Sequence, residues 1–164
     1  MNKKITLVLL ATLLSGFGKA VNAIPLTWYI DATFHDSTMA TGSYVYDADT
    51  DIFSSWNITT TAGVLAGANY NTGNALVLSG SPDIIVIQST INYSNMMQVN
   101  LANLMTNAGG VINILSIVEF EGSNLRVNLD IPGGTVSAET PEPNTLALLG
   151  LGLAGLGYSR RKRV

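Results

Sequence analysis

The sequence predicts an all-β fold, an antiparallel β-sandwich or jelly roll, followed by one short C-terminal hydrophobic helix. Three observations lead there. Apolar residues between positions 26 and 138 recur with a period of two, in short runs. Clusters of Asn, Asp, Gly and Pro separate those runs. The same region lacks the long 3.6-residue periodicity of an amphipathic helix, and many short strands without helices point to packed antiparallel sheets.

The first strand is expected over 26–34, where Leu26, Trp28, Ile30, Ala32 and Phe34 alternate with Thr27, Tyr29, Asp31 and Thr33. Runs at 41–46 and 52–61 flank Asp47-Ala48-Asp49-Thr50-Asp51. Asp and Thr side chains bond back to their own backbone in turns, so this is a hairpin. Further strands are expected at 75–78, 84–88, 93–101, 111–120 and 125–131, with a short one at 135–138. Turns fall at Asn71-Thr72-Gly73, Gly80-Ser81-Pro82-Asp83, Asn107-Ala108-Gly109-Gly110 and Pro132-Gly133-Gly134. Residues 103–106 are expected to form a single helical turn.

Two addresses flank this region. Lys3 and Lys4 precede a largely apolar stretch at 5–14, and Val21-Asn22-Ala23 offers tolerated side chains to a signal peptidase. This reads as a leader cleaved between Ala23 and Ile24; a retained anchor is the other reading, against which the apolar stretch is short. At the other end Pro141, Glu142 and Pro143 form an extended stem, because proline fixes φ and removes N–H donors. The stem precedes 13 uncharged residues at 146–158, rich in Leu146, Leu148, Leu149, Leu151, Leu153 and Leu156. Arg160, Arg161, Lys162 and Arg163 then form a basic tip, held on the cytoplasmic side by the positive-inside bias. A span usually needs ~20 apolar residues, so this one is thin and relies on Arg160 and Arg161 snorkelling. The organisation is therefore a signal peptide at 1–23, an exported β-domain at 24–139 and a sorting signal at 140–164.

This tail resembles the PEP-CTERM sorting signal of Gram-negative bacteria, which an exosortase, a membrane-embedded cysteine protease, reads. The resemblance implies that the helix holds the exported chain in the inner membrane while the exosortase cuts near Pro141, Glu142 and Pro143. It also implies an association with exopolysaccharide and biofilm. The segment 42–61, which opens on Gly42-Ser43-Tyr44-Val45-Tyr46-Asp47-Ala48, resembles the N-terminal hairpin of a group of small PEP-CTERM proteins, and that likeness implies no catalytic residue. Gly150-Leu151-Gly152-Leu153-Ala154-Gly155 matches the dinucleotide fingerprint G-x-G-x-x-G, but no strand–helix unit frames it.

Composition narrows the chemistry. The chain has no cysteine, which removes thiol catalysis, Cys-zinc sites and disulfide staples. The 117 residues at 24–140 suffice for one domain and not for two. They hold ten carboxylates against Arg126 alone, a net charge near −9, which repels nucleic acid and anionic lipid and serves solubility or cation binding.

Several constellations invite chemistry. Asp47, Asp49 and Asp51 supply the first acids of an EF-hand-like loop, yet Ile52 replaces the turn glycine and Ile58 the bidentate Glu, so a solvated turn is favoured over a calcium site. His35, Asp36 and Ser37 are adjacent on an extended chain and point apart, which disfavours a triad. Glu119 and Glu121 share one strand face, either as a carboxylate pair or as charges guarding an edge strand. Trp28, Tyr29, Tyr44, Tyr46, Trp56 and Tyr93 are divided between core and a sugar-stacking face.

No cofactor or metal is expected. The expected function is that of a non-enzymatic surface or extracellular-matrix protein, associated with exopolysaccharide or biofilm, sorted and cleaved by an exosortase. Its partners are the exosortase and signal peptidase, transiently, the inner membrane before processing, and extracellular polysaccharide, with no nucleic acid. The alternative is a carbohydrate-binding module or weak glycan-active enzyme delivered by the same route.

Overall fold

Alternation of apolar and polar side chains, clearest in β1 and in the first half of β8, builds ten antiparallel strands and one interior. The computed structural model describes residues 24–140 apart from Asn92 and Ile131, together with Gly150, Leu151 and Leu153. The strands are β1 (Leu26–Thr33), β2 (Met39–Asp47), β3 (Ile52–Thr60), β4 (Ala68–Asn71), β5 (Ala75–Ser81), β6 (Ile84–Ser89), β7 (Asn95–Leu101), β8 (Gly110–Glu121), β9 (Asn124–Asn128) and β10 (Gly134–Ala138).

Nearly every strand pairs with its neighbour in sequence, giving the order β4-β3-β2-β1-β10-β8-β7-β6-β5, with β9 also on β8. The expected two-layer sandwich or jelly roll is thus a single connected sheet that curls into a nearly closed barrel. A jelly roll needs long crossovers between sheets, whereas tight turns here leave each strand beside the last. Closure depends on β10, which pairs with β1 through Tyr29↔Ser137 and with β8 through Ser137↔Val111. The ring remains open between β4 and β5, which form no ladder.

Inward side chains fill the barrel: Trp28, Ile30 and Phe34 from the β1 side, Tyr44 and Tyr46 from β2, Ile58 from β3 and Tyr70 from β4. Ile85, Ile87, Met97, Val99, Ile114, Ile117 and Val136 complete it. Burial of a large apolar side chain contributes about 1.5–3 kcal/mol, which lets a cysteine-free domain hold together.

Three bulges interrupt the ladders, one of them at Leu78 on β5, and the other two bear on the sites described below. Val45 pairs with Ser55 and Tyr46 with Phe53, so Ser54 is the extra residue and both Trp56 and Phe53 pack on the core. On β8, Asn100 pairs with Ser116 and Leu101 with Ile114, leaving Leu115 as the extra residue. Before it the even residues Ile112 and Ile114 are buried; after it the odd residues Ile117 and Glu119 are.

The sequence missed β4, whose four residues offer little periodicity. It also placed a helical turn at 103–106, where the chain runs without helix. Burying Met105 and bonding its N–H to the Pro82 carbonyl at 2.7 Å hold that loop open. Gly150, Leu151 and Leu153 have helical backbone, and no helix among the described residues is long and apolar enough to cross a membrane. Ala23, Pro141, Glu142, Pro143, Leu146, Leu148, Leu149, Leu156 and the basic tip lie outside the described residues.

Candidate functional site

The antiparallel pairing of β1 with β10 fixes where the two ends of the described domain sit. Because Tyr29 lies opposite Ser137 and Ala32 opposite Gly134, the first residues of β1 sit beside the last residues of β10. Ile24 is exposed at this end, as is Glu139. A shallow cleft of about 250 Å³ lies between them, lined by Leu26, Thr27, Tyr29 and Glu139. Ile24 and Glu139 therefore lie at the same end of the barrel.

At the junction, the chain beyond β10 carries the feature that decides its class. Residues 139–163 match the family described as the PEP-CTERM protein-sorting motif. The chain carries a PEP-CTERM sorting motif. Such a motif marks an exported protein that is anchored in the membrane and then processed by an exosortase. No curated protein and no solved structure matches the chain. The motif begins at the residue after β10 ends, so little chain separates the closing strand from Pro141.

Other candidates are placed differently from what alternation suggested. Glu119 does not guard an edge: β8 is paired on both sides, and Glu119 is 2% exposed. Its cross-strand partner is Arg126, whose Nε donates to Oε2 at 2.8 Å, with Nη2 2.6 Å from the same oxygen. Its other oxygen accepts the Thr60 hydroxyl at 2.7 Å and the Tyr70 hydroxyl at 2.9 Å. Arg126 also donates to the Thr38 hydroxyl and the Thr61 carbonyl, both at 2.7 Å, and lies 4.4 Å from the centroid of the Phe34 ring. The only Lys or Arg between positions 24 and 140 is therefore buried inside the barrel. Burial and then the Glu119 charge push the Tyr70 phenol far above its usual range.

Asp36 completes the cluster from the β1–β2 loop, 3.7 Å from Arg126. Desolvation raises its pKa, but hydrogen bonds from the Thr38 hydroxyl and the Val64 and Thr38 N–H groups, with the Arg126 charge, outweigh it and hold the carboxyl at about 2. Glu121 accepts the Ala66 N–H at 3.1 Å. Both glutamates are thus committed to holding strands and loops together. His35 turns away from Ser37 and lies 3.7 Å from Asp130 on the surface.

The acidic hairpin is self-occupied. Asp47 accepts the Asp49 N–H at 2.9 Å, the Thr50 hydroxyl at 2.9 Å and the Asn107 amide at 3.3 Å. These bonds hold its carboxyl below the usual range. Asp51 accepts the Tyr46 hydroxyl at 2.6 Å. No three acids or histidines gather as a metal cluster among the described residues.

Of the aromatics, Trp28, Tyr44 and Tyr46 are core, while Tyr29 is exposed on β1 and Tyr93 in the connection between β6 and β7. Trp56 is half-buried beside a second cleft of about 310 Å³, lined by Asp51, Ile52, Phe53, Trp56, Leu76 and Val77. Sequence reasoning missed this grouping because Leu76 and Val77 come from β5, across the opening of the sheet.

Proposed function

We propose that this chain is a non-enzymatic component of the cell surface or extracellular matrix, released from the inner membrane by an exosortase and associated with extracellular polysaccharide. The observation that carries the reading is the PEP-CTERM motif beginning where the barrel ends. The barrel delivers both membrane-directed segments from one end, so that end faces the membrane and the rest of the surface faces outward before processing. The buried polar cluster supports a structural role, since Glu119 and Arg126 spend their bonds on each other and on Thr38, Thr60, Thr61 and Tyr70 from neighbouring elements. Leader cleavage between Ala23 and Ile24 and anchoring by the leucine-rich segment complete the route. Cutting then occurs near Pro141, Glu142 and Pro143.

Changing Pro141, Glu142 and Pro143 together to alanine should leave export intact and abolish C-terminal processing in a host with the cognate exosortase. Intact mass of the extracted protein reads the outcome. Normal loss of the tail from this variant would sink the assignment of the stem as the processing signal.

A further inference from the structure

The opening of the sheet creates a site that neither the sorting motif nor the buried cluster uses. β4 pairs only with Asn57, Ile58, Thr59 and Thr60 of β3, so the first half of β3 has no neighbour on that side. The bulge at Ser54 turns both Phe53 and Trp56 toward the interior. With no strand covering them, their rings reach the surface through the gap and form the floor of the 310 Å³ cleft. Exposed Ile52 and Leu76 form its walls.

One polar group stands at its lip. Asp51 is held in the left-handed region at φ 55° and anchored through one oxygen by the Tyr46 hydroxyl. Its other carboxylate oxygen makes no hydrogen bond among the described residues. Asp47 and Asp49 lie on the same turn, and Arg126, the only Lys or Arg of the domain, is buried in the network around Glu119. The local field therefore repels uronates, phosphates and sulfates, and attracts a cation.

We infer that the cleft formed by Phe53, Trp56 and Asp51 at the β3–β5 opening binds an amine-bearing sugar unit of a polysaccharide. A pyranose has one apolar face, which suits an aromatic floor, and its ammonium forms a charge-assisted bond with Asp51 and gains from the nearby rings. The volume suits one sugar unit at the low end of ordinary ligand pockets. The inference rests on the matrix reading only for the source of the glycan.

The test is calorimetric titration of the full chain, in a non-glycosidic detergent at mildly acidic pH, with glucosamine oligomers, N-acetylglucosamine oligomers and glucose oligomers. Glucosamine oligomers should bind at least roughly threefold more tightly than either neutral series, and added salt should reduce that preference. Asp51→Asn keeps the hydrogen-bond acceptor and tolerates the left-handed backbone, so it should erase the preference without unfolding the hairpin. Trp56→Leu should weaken all binding roughly tenfold. Unchanged preference in Asp51→Asn, or no heat with any oligomer, overturns the site. Cofractionation of the mature protein with extracellular polymer is scored separately; a protein that stays with the polymer yet ignores glucosamine refutes this cleft and leaves the matrix reading standing.

Discussion

At the scale of single residues, the Glu119–Arg126 pair is a buried ion pair embedded in a network of hydrogen bonds. Both side chains are about 2% exposed. Removing one partner of such a pair strands a buried charge, at about 3–5 kcal/mol, whereas replacing both with apolar residues is often neutral. Glu119→Gln and Arg126→Met should each lower stability by that amount in denaturant titrations, a large share of a typical domain's total. The double variant Glu119→Leu, Arg126→Met should recover most of it. If each single change costs less than the double, the network does not stabilise the fold in the way described. Asp36 adds a pH dependence. Its folded pKa of about 2 lies below the ordinary 3.8, so its contribution is present above about pH 4 and lost as pH falls towards 2. That contribution is at most about 2 kcal/mol. Asp36→Asn should flatten this acid limb in stability measured against pH, while leaving the slope near neutrality unchanged.

At the scale of elements, β10 carries more than its five residues suggest. It is the bridge between β1 and β8, and without it β1 and the first part of β8 become open edges and the sheet gains a second gap beside the one between β4 and β5. Two glycines allow the close approach. Gly134 lies opposite Ala32 at φ 137°, and a side chain there would strike the Asp31 carbonyl. Gly42 plays the same part on β2, at φ 147° against the Asn57 carbonyl. The fragment 24–140 should fold alone, with a β-type circular dichroism spectrum and no dependence on reductant. The fragment 24–133 should lose cooperative unfolding. A cooperative transition in the shorter fragment would show that the ring does not need its last strand.

At the scale of the whole molecule, charge and topology cooperate. The charge near −9 keeps the outward surface repulsive to other copies and to anionic polymers, and Arg126 does not offset it at the surface because it is buried. The barrel also closes only when the residues just ahead of the sorting motif are in place, so folding of the domain and presentation of the stem occur at adjacent positions in the chain. The start of β1 lies beside the end of β10 through their shared ladder.

Much of this was legible in the sequence. Period-two alternation located nine of the ten strands, and Asp, Asn, Gly and Pro clusters marked the turns, because both signals are local and depend on one strand's two faces or on one turn's backbone. The C-terminal order of Pro-Glu-Pro, uncharged leucines and basic tip was legible for the same reason, since a sorting signal is read as linear sequence. What alternation could not foresee was its own interruption. Read without the bulge at Leu115, strand β8 puts Ile112, Ile114, Val118 and Phe120 on the inner face and Glu119 outside; the extra residue reverses the phase and drives Glu119 inward onto Arg126. Ring closure through β10, the partners of the lone arginine and the cleft joining Trp56 to Leu76 depend on which strands become neighbours. That is set by packing between residues far apart in the chain, so only the tertiary structure decides it.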